Sequence, residues 1–506
     1  MRLHRLKSVP LAAALLFAQG RDGALLTDEA RNTEYDPSEC YRVHDLSIRR
    51  ADIRLYLTSG YLTFSKPVHG YPMSAIFTTD VEGGDGEVLL LPPNRGERRS
   101  MARFTESPNL DEHLSTVFLL FTDDTAKELR DQIAAGAGTK APEMGPSQVE
   151  RWSPVLHNLS GSFELRLAQD LLNPRNPSRG LLFATVAGKR LGTFDLLYNP
   201  TSTEQIIVGR LNDHDGRSAY DVWASFSPRD PALSRPAPLD FLASRYSIDA
   251  TVEQGKALRA RTQVQIHTGP SPILVLSFDA ARSVDVTSAT VDGKPAEVLA
   301  RDSLRSQALR PDDNQTFLVV VDTPLAADTN HSIVFEHTGT VVREAGNGVY
   351  YVGARSNWYP HAGDHFAYCE LTFHYPRKLT LVAPGDMSLD STDGEVRTSR
   401  WTTPSPVRVA GFNLGEYDKV DASLGGFQVT VYGNRHLETA LQPRAPDPVI
   451  INTPGRGRPA TIISQATPPQ PDPSARLRAV AADVSAALQF FSERFGPPSM
   501  KTLTVS

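Results

Sequence analysis

The densest group of side chains able to hold a metal is His361-Ala-Gly-Asp364-His365, followed by His374. Imidazole and carboxylate at short spacing are the ligand types of zinc sites. A glycine between the ligands works against a helical His-x-x-x-His face, and the simpler reading is a sealing loop in which Asp364 accepts hydrogen bonds from backbone amides. Asp213-His214-Asp215-Gly216 opens like a calcium loop but lacks the ligand ladder and terminal glutamate, which makes it a turn. Gly83-Gly84-Asp85-Gly86 lacks the strand-to-helix context of a phosphate cradle and reads as a hairpin tip. Serines are plentiful, yet no Gly-x-Ser-x-Gly elbow occurs. Tyr350, Tyr351, Trp358 and Tyr359 could line a cleft, although packing inside a sandwich is the cheaper use of four large rings. Asn158, Asn314 and Asn330 head Asn-x-Ser/Thr triplets, which matter only if a eukaryotic secretory route handles the chain. Cys40 and Cys369 are too few and too far apart for a thiolate zinc site; one long-range bridge and two inert thiols both remain open. The residues themselves therefore nominate no catalytic, cofactor-binding or metal set.

The elements that would position any site follow from length and pattern. At roughly 150 residues per domain, 506 residues suggest about three domains. Apolar residues at 40% and charged residues at 22% are enough for sizeable cores. A net charge of −6 with no basic block argues against a nucleic-acid partner. Residues 1–20 read as a signal peptide, with Arg2, Arg5 and Lys7 ahead of an apolar stretch from Val9 to Ala18. The alternative is a disordered terminus or a misassigned start. Beyond residue 20 no apolar run approaches the roughly 20 residues of a transmembrane helix.

Residues 21–237 alternate in short runs, among them Ile53 to Leu57, Ser162 to Leu167 and Gln205 to Val208, and predict a β-rich N-terminal domain of unknown type. Two helices are expected to interrupt it, at Asp123 to Ile133 and Gln148 to Leu159. Prolines between Pro228 and Pro238 mark a boundary near 237. Residues 238–422 carry regularly spaced alternating strands and an Asp292-Gly293 hairpin, the pattern of an antiparallel β-sandwich. Residues 423–473 read as a strand and a Pro-rich connector. In residues 474–506 the helix signals are strongest: Asp472 can cap, Pro473 suits the first position, and Gly496-Pro497-Pro498 stops the helix. Leu477, Val480, Val484, Leu488, Phe491 and Phe495 fall on one face, which must bury against something. Lys501 to Ser506 then begins a strand. The fold class expected is mainly β, with an incomplete α/β segment at the C-terminus.

Several stretches resemble the aminopeptidase N family of gluzincin zinc metallopeptidases. They are Gly348-Val-Tyr350-Tyr351, Ala354-Arg355, Trp358-Tyr359-Pro360, Asp364, Leu371-Thr-Phe373-His-Tyr375-Pro376, Leu379 to Gly385, Trp401 and Ala410-Gly-Phe412-Asn-Leu414-Gly415-Glu-Tyr417. Phe490-Phe491-Ser-Glu-Arg-Phe495-Gly496-Pro497-Pro498 followed by Leu503-Thr-Val505 is similar to the first helix and strand of that family's thermolysin-like catalytic domain. The resemblance covers residues 240–506 and implies an aminopeptidase N-type β-sandwich at 238–422, with the start of a truncated catalytic domain at 474–506.

Zinc peptidase chemistry in such a family needs His-Glu-x-x-His on a helix and a further glutamate ligand, so that metal-bound water is acidified and deprotonated. None of the 13 histidines is followed by glutamate, and the family's Gly-x-Met-Glu-Asn segment is missing. The expectation is a non-catalytic front portion of an exported, secreted or periplasmic metallopeptidase, without catalytic residues, metal ligands or cofactor of its own. Zinc and a peptide substrate would belong to a longer product, and self-association would proceed through the terminal helix. The alternative is a secreted β-rich binding or scaffolding protein that is not an enzyme.

Overall fold

The computed structural model describes residues 22–214, 217–235, 239–253, 257–300, 314–352, 357–363, 365–435, 449–451, 461–463, 473–498 and 501–506. The expected signal peptide and most of the Pro-rich connector lie outside these residues.

The N-terminal unit is built on one antiparallel sheet. Its strands are β1 (Tyr35–Arg50), β2 (Ile53–Ser65), β3 (Ser74–Thr78), β4 (Asp85–Leu90), β5 (Leu110–Phe121), β6 (Gly138–Lys140), β7 (Leu182–Gly188), β8 (Gly192–Tyr198), β9 (Ile206–His214) and β10 (Arg217–Phe226). The order is β10-β9-β8-β7-β5-β3-β2-β1-β6, and β4 also pairs with β2 and β5. Both β3 and β4 run antiparallel to the same two neighbours, β3 against Tyr61–Phe64 of β2 and β4 against Ile53–Ser59. They are two halves of one strand position, so Gly83-Gly84 belongs to an excursion from that strand and not to a hairpin tip.

Among the described residues five α-helices, not two, accompany the sheet: α1 (Asp22–Asn32), α2 (Arg95–Thr105), α3 (Thr125–Gln132), α4 (Gly145–Ser162) and α5 (Glu164–Leu172). The alternation from Ser162 to Leu167 predicts a strand, yet the chain is helical there. Read on to Leu172, the apolar residues recur at helical spacing, and Arg166 with Asp170 makes an i,i+4 pair at 2.8 Å. In α2, four arginines hide the period, but Met101 and Thr105 point inward and Asn94 Oδ1 accepts the Glu97 amide at 2.8 Å as an N-cap. Helices α1, α4 and α5 pack into one core and α2 and α3 into another, so both sides of the central strands are covered and every residue of β3 is buried.

The second unit is a two-sheet sandwich. The larger sheet holds β11 (Phe241–Val252), β12 (Leu258–Thr268), β13 (Ile273–Ala281), β14 (Val284–Val291), β15 (Lys294–Leu299), β16 (Asn314–Leu325) and β17 (Asn330–Gly339). The smaller takes β18 (Val342–Gly346) and β19 (Val349–Val352). From there the chain returns to the larger sheet with β20 (Tyr368–Pro376), crosses with β21 (Thr380–Val382), returns with β22 (Asp386–Asp393) and β23 (Val396–Thr402), and closes the smaller sheet with β24 (Asn413–Gly415). The orders are β13-β16-β15-β14-β17-β12-β11-β20-β23-β22 and β18-β19-β24-β21. All neighbours in these two sheets are antiparallel except β11 with β20. The Asp292-Gly293 turn joins β14 to β15 with φ of 50° and 80°, the positive pair that Asp-Gly supplies readily.

The two units share a core. Leu26 of α1 and Leu165 and Leu167 of α5 pack in one cluster with Val275, Leu318 and Val320 of the sandwich. Glu297 accepts the α1 amides of Gly23 and Ala24 at 3.2 and 3.0 Å, and Asn173 Oδ1 accepts the amides of Leu274 and Val275 at 2.8 and 2.9 Å.

Past Gly415 the chain enters a separate three-stranded sheet, β25 (Tyr417–Leu424), β26 (Phe427–Asn434) and a last strand, Thr502–Val505, which runs parallel to β26. Val449–Ile451 (β27) and Thr461–Ile463 (β28) pair with each other, and the last strand is β29. Helix α6 (Pro473–Phe495) crosses from β26 to β29 over β25 and β26. Ala481 is buried against Val429 and Val431, with Leu477, Val484 and Leu488 half-buried beside it. The six-residue stripe is not buried as one face. Val480, Phe491 and Phe495 are 41%, 55% and 82% exposed. At 23 residues the helix is about 34 Å long, whereas eight-residue strands span roughly 26 Å, so its last turn overhangs the sheet.

Candidate functional site

His361 follows Pro360 into the wall of the sandwich. Its backbone bridges Asp279 in both directions at 2.8 Å. Its ring stacks on Tyr246 with centroids 5.6 Å apart and planes at 7°. Nε2 donates to the Arg408 carbonyl at 2.9 Å. The Tyr246 hydroxyl in turn accepts the Ala362 amide at 3.0 Å, and burial holds its phenol well above the usual range. His374 lies elsewhere on β20: Nδ1 meets Thr398 Oγ1 at 3.0 Å and Nε2 meets Asp249 Oδ1 at 3.2 Å. It stands opposite Thr251, five residues along β11 from Tyr246, which is about 17 Å of strand. The structure therefore does not bring His361 and His374 together. His365 is half-buried beside Gly363, and Asp364 lies outside the described residues. Among the described residues no group of three or more His, Cys, Asp or Glu side chains could hold a metal ion.

The aromatic group divides. Trp358 and Tyr359 are core: Trp358 Nε1 donates to the Ala410 carbonyl at 2.6 Å and its ring packs with Phe373 and Phe412. Tyr350 lines a 450 Å³ cavity at one end of the sandwich with Glu253, Arg377, Leu379, Glu395 and Glu416, and Tyr351 is exposed. Asp213 and His214 end β9 and pair with Ser218 and Arg217 of β10, leaving Asp215 and Gly216 outside the described residues. Asn314 is buried and accepts the Asn357 amide at 2.8 Å, a structural role. Cys40 and Cys369 are buried free thiols in different sheets. Burial raises both, Cys369 to about 12, which keeps them protonated and unreactive.

Two features escape the sequence. A cavity of 380 Å³ within the N-terminal unit adjoins, through Thr122, Asp170 and Arg175, a second of 340 Å³ that reaches the sandwich at Asp240 and Ile273. Arg166 spans it, donating to Asp170, Asn199, Thr201 and the Arg179 carbonyl at 2.8 to 3.2 Å. Arg179 meets Asp240 at 2.8 Å across the junction. Burial pushes the Asp240 carboxyl up, opposed by Arg179 and Arg166. The network ties one unit to the other, and only the i,i+4 spacing of Arg166 and Asp170 hints at it in the sequence. The second feature is the C-terminal unit. Phe490, Phe491 and Phe495 form a run of ring contacts at 5.5 and 6.1 Å on an exposed helix flank. Among the described residues, strand β29 has β26 as its one sheet neighbour, which leaves its other edge open.

No family model matches the chain. No curated protein matches it either. Partial likeness is found to solved structures. One is a two-domain M1 zinc metallopeptidase, a single-site mutant bound to L-arginine, at 14% identity and a TM-score of 0.36, covering 52% of this chain and 56% of that one. Another is the M1 zinc metallopeptidase from Deinococcus radiodurans, at 14% identity and 0.37, covering 53% and 57%. A mutant of the Deinococcus radiodurans enzyme bound to a Tyr-Ser-Ala substrate gives 14% and 0.37, covering 52% and 56%. The chain thus spans a little over half the length of these proteins.

Proposed function

We propose that this chain is the front portion of an exported metallopeptidase of the aminopeptidase N type, that it performs no catalysis itself, and that it supplies the platform on which a catalytic lobe is assembled. The observation that carries this reading is the β26-α6-β29 unit, where the motif from Phe490 to Val505 lies. One face of α6 is sealed on its sheet by Leu477, Ala481, Val484 and Leu488, while Phe490, Phe491 and Phe495 and the edge of β29 stay open. An exposed aromatic flank and a strand edge without a described neighbour are each surfaces onto which further chain can build.

The described residues do not fit a zinc ion. His361 and His374 are each engaged in separate hydrogen bonds, and Asp249 is already paired with His374. No step through zinc is derived for this chain; zinc and peptide hydrolysis are assigned to a longer product. Export to a secreted or periplasmic location rests on residues 1–20 alone. No described helix is long and apolar enough to cross a membrane.

A second reading, a secreted β-rich binding or scaffolding protein, is favoured by one observation: Leu488 finds its partners within the chain. Phe491 and Phe495 do not support it, because they are left exposed. Reading the source DNA in frame past codon 506 tests the two. A His-Glu-x-x-His helix downstream supports the metallopeptidase, and unrelated sequence overturns it.

A further inference from the structure

Helix α2 (Arg95–Thr105) joins β4 to β5 and packs on β10, the edge strand of the N-terminal sheet. Its inner side is fixed by Met101 and Thr105, both buried, and by Glu97, which accepts the Ser225 amide of β10 at 2.9 Å. Arg95, Arg99 and Arg103 recur at every fourth position on the outward side, and all three are exposed. At 1.5 Å per residue they make a row about 12 Å long. Arg98, also exposed, flanks the row, its Nε donating to the Pro92 carbonyl at 2.8 Å.

Such a row is costly to the helix that carries it. Like charges four positions apart repel, and a cation at the first helical position, here Arg95, opposes the helix dipole. Neighbouring arginines are neutralised: Arg190, whose Nη1 donates to the Thr105 carbonyl at 3.1 Å, has Glu112 at 3.4 Å, and Arg229 has Asp52 at 3.8 Å. Among the described residues no carboxylate pairs with any of the four α2 arginines. A surface of opposite sign would supply what they lack. The kind of surface is indicated by two apolar side chains, each 41% exposed: Leu91, ahead of the N-cap Asn94, and Phe104, in the last turn. The Phe104 ring stacks at 6.1 Å on Trp223, which is buried and fills the space beneath it, so Phe104 stays at the surface. A polyanion with no apolar phase would use the arginines and leave Leu91 and Phe104 in water. Cations beside exposed Phe and Leu are the composition of a helix that lies on an anionic membrane.

We propose that α2 is a peripheral membrane contact, in which Arg95, Arg98, Arg99 and Arg103 bind the phosphates of anionic lipid headgroups while Leu91 and Phe104 enter the interfacial layer. The contact is reversible and salt-dependent, because it rests on a few exposed charges of a chain whose net charge is −6. It is independent of the metallopeptidase reading.

Flotation of the full chain with lipid vesicles tests this, since aggregated protein does not float. With phosphatidylcholine vesicles containing about 30% phosphatidylglycerol, the chain should float at about 50 mM salt and be released at about 0.5 M; with phosphatidylcholine alone it should not float. Arg95→Gln combined with Arg99→Gln and Arg103→Gln should weaken binding roughly a hundredfold. Phe104→Ser, shown folded by its thermal transition, should weaken it by a smaller factor. Arg259→Gln combined with Arg261→Gln and Arg377→Gln makes the same change of net charge at exposed positions of the sandwich and should bind as the unsubstituted chain does. No flotation, equal flotation with uncharged vesicles, undiminished binding by the folded α2 triple variant, or an equal loss in the sandwich variant would overturn the proposal. So would capture of the chain by a labelled oligothymidylate that the anionic vesicles fail to displace, which would assign the row to nucleic acid.

Discussion

Acid should destabilise the sandwich through one buried imidazole. His337 on β17 is 1% exposed between Ala260 of β12 and Val286 of β14. Its Nε2 meets Thr262 Oγ1 at 2.9 Å, and its buried Nδ1 has no hydrogen-bond partner. With no carboxylate to favour the cation, burial lowers its pKa from 6.5 to about 4. The unfolded chain then binds a proton that the folded chain refuses between those values. Stability from this group is complete above pH 6.5, declines as the pH falls, and is lost in full below about 4. A difference of about 2.5 pKa units corresponds to about 3 kcal/mol. Replacing both partners, His337→Leu with Thr262→Val, removes the titration without orphaning the threonine hydroxyl. Urea unfolding at pH 7.5, 5.5 and 4.0 should show the unsubstituted chain losing about 3 kcal/mol more than the double variant across that range. Equal losses in the two proteins would refute the assignment of acid sensitivity to His337.

Other outcomes follow from the junction and the C-terminal unit. Asn173→Ala leaves the Leu274 and Val275 amides without their side-chain acceptor and should cost about 1–3 kcal/mol, read as a lower urea midpoint. Glu297→Ala removes the acceptor for two α1 amides and should lower stability by about 1 kcal/mol, with earlier proteolytic release of residues 22–32. Phe491→Ser with Phe495→Ser should leave stability within about 0.5 kcal/mol while reducing concentration-dependent sedimentation, because both rings are exposed. Unchanged sedimentation would mean that this flank does not drive self-association.

Strand-dominated architecture was legible wherever one face of a strand meets water. Leu258 to Ile266 and Asp292-Gly293 read directly, because alternation and turn chemistry are local. Helices α1, α2 and α5 were not, for three separate reasons. Helix α1 gains an acceptor for its first amides from Glu297, over 270 positions away in the sequence. Charge masks the period of α2, and the tetrad Phe163-Glu-Leu-Arg imitates a strand until the next turn is included. The stripe of α6 was read correctly as apolar, but how much of it is covered depends on strand length, which no helical period encodes. Among the candidate ligands, proximity in sequence misled: His361 and His374 meet different strands of the larger sheet, because the chain passes from a bridge with Asp279 of β13 into β20 between them.

The central claim is that catalysis by zinc lies outside these residues. The most direct measurement is the zinc content of the purified 506-residue chain after dialysis against a weak chelator, together with its hydrolysis of an aminoacyl p-nitroanilide in added zinc. The account predicts no stoichiometric zinc and no hydrolysis. One tightly held equivalent accompanied by release of p-nitroaniline would contradict it and return attention to His361, Asp364, His365 and His374.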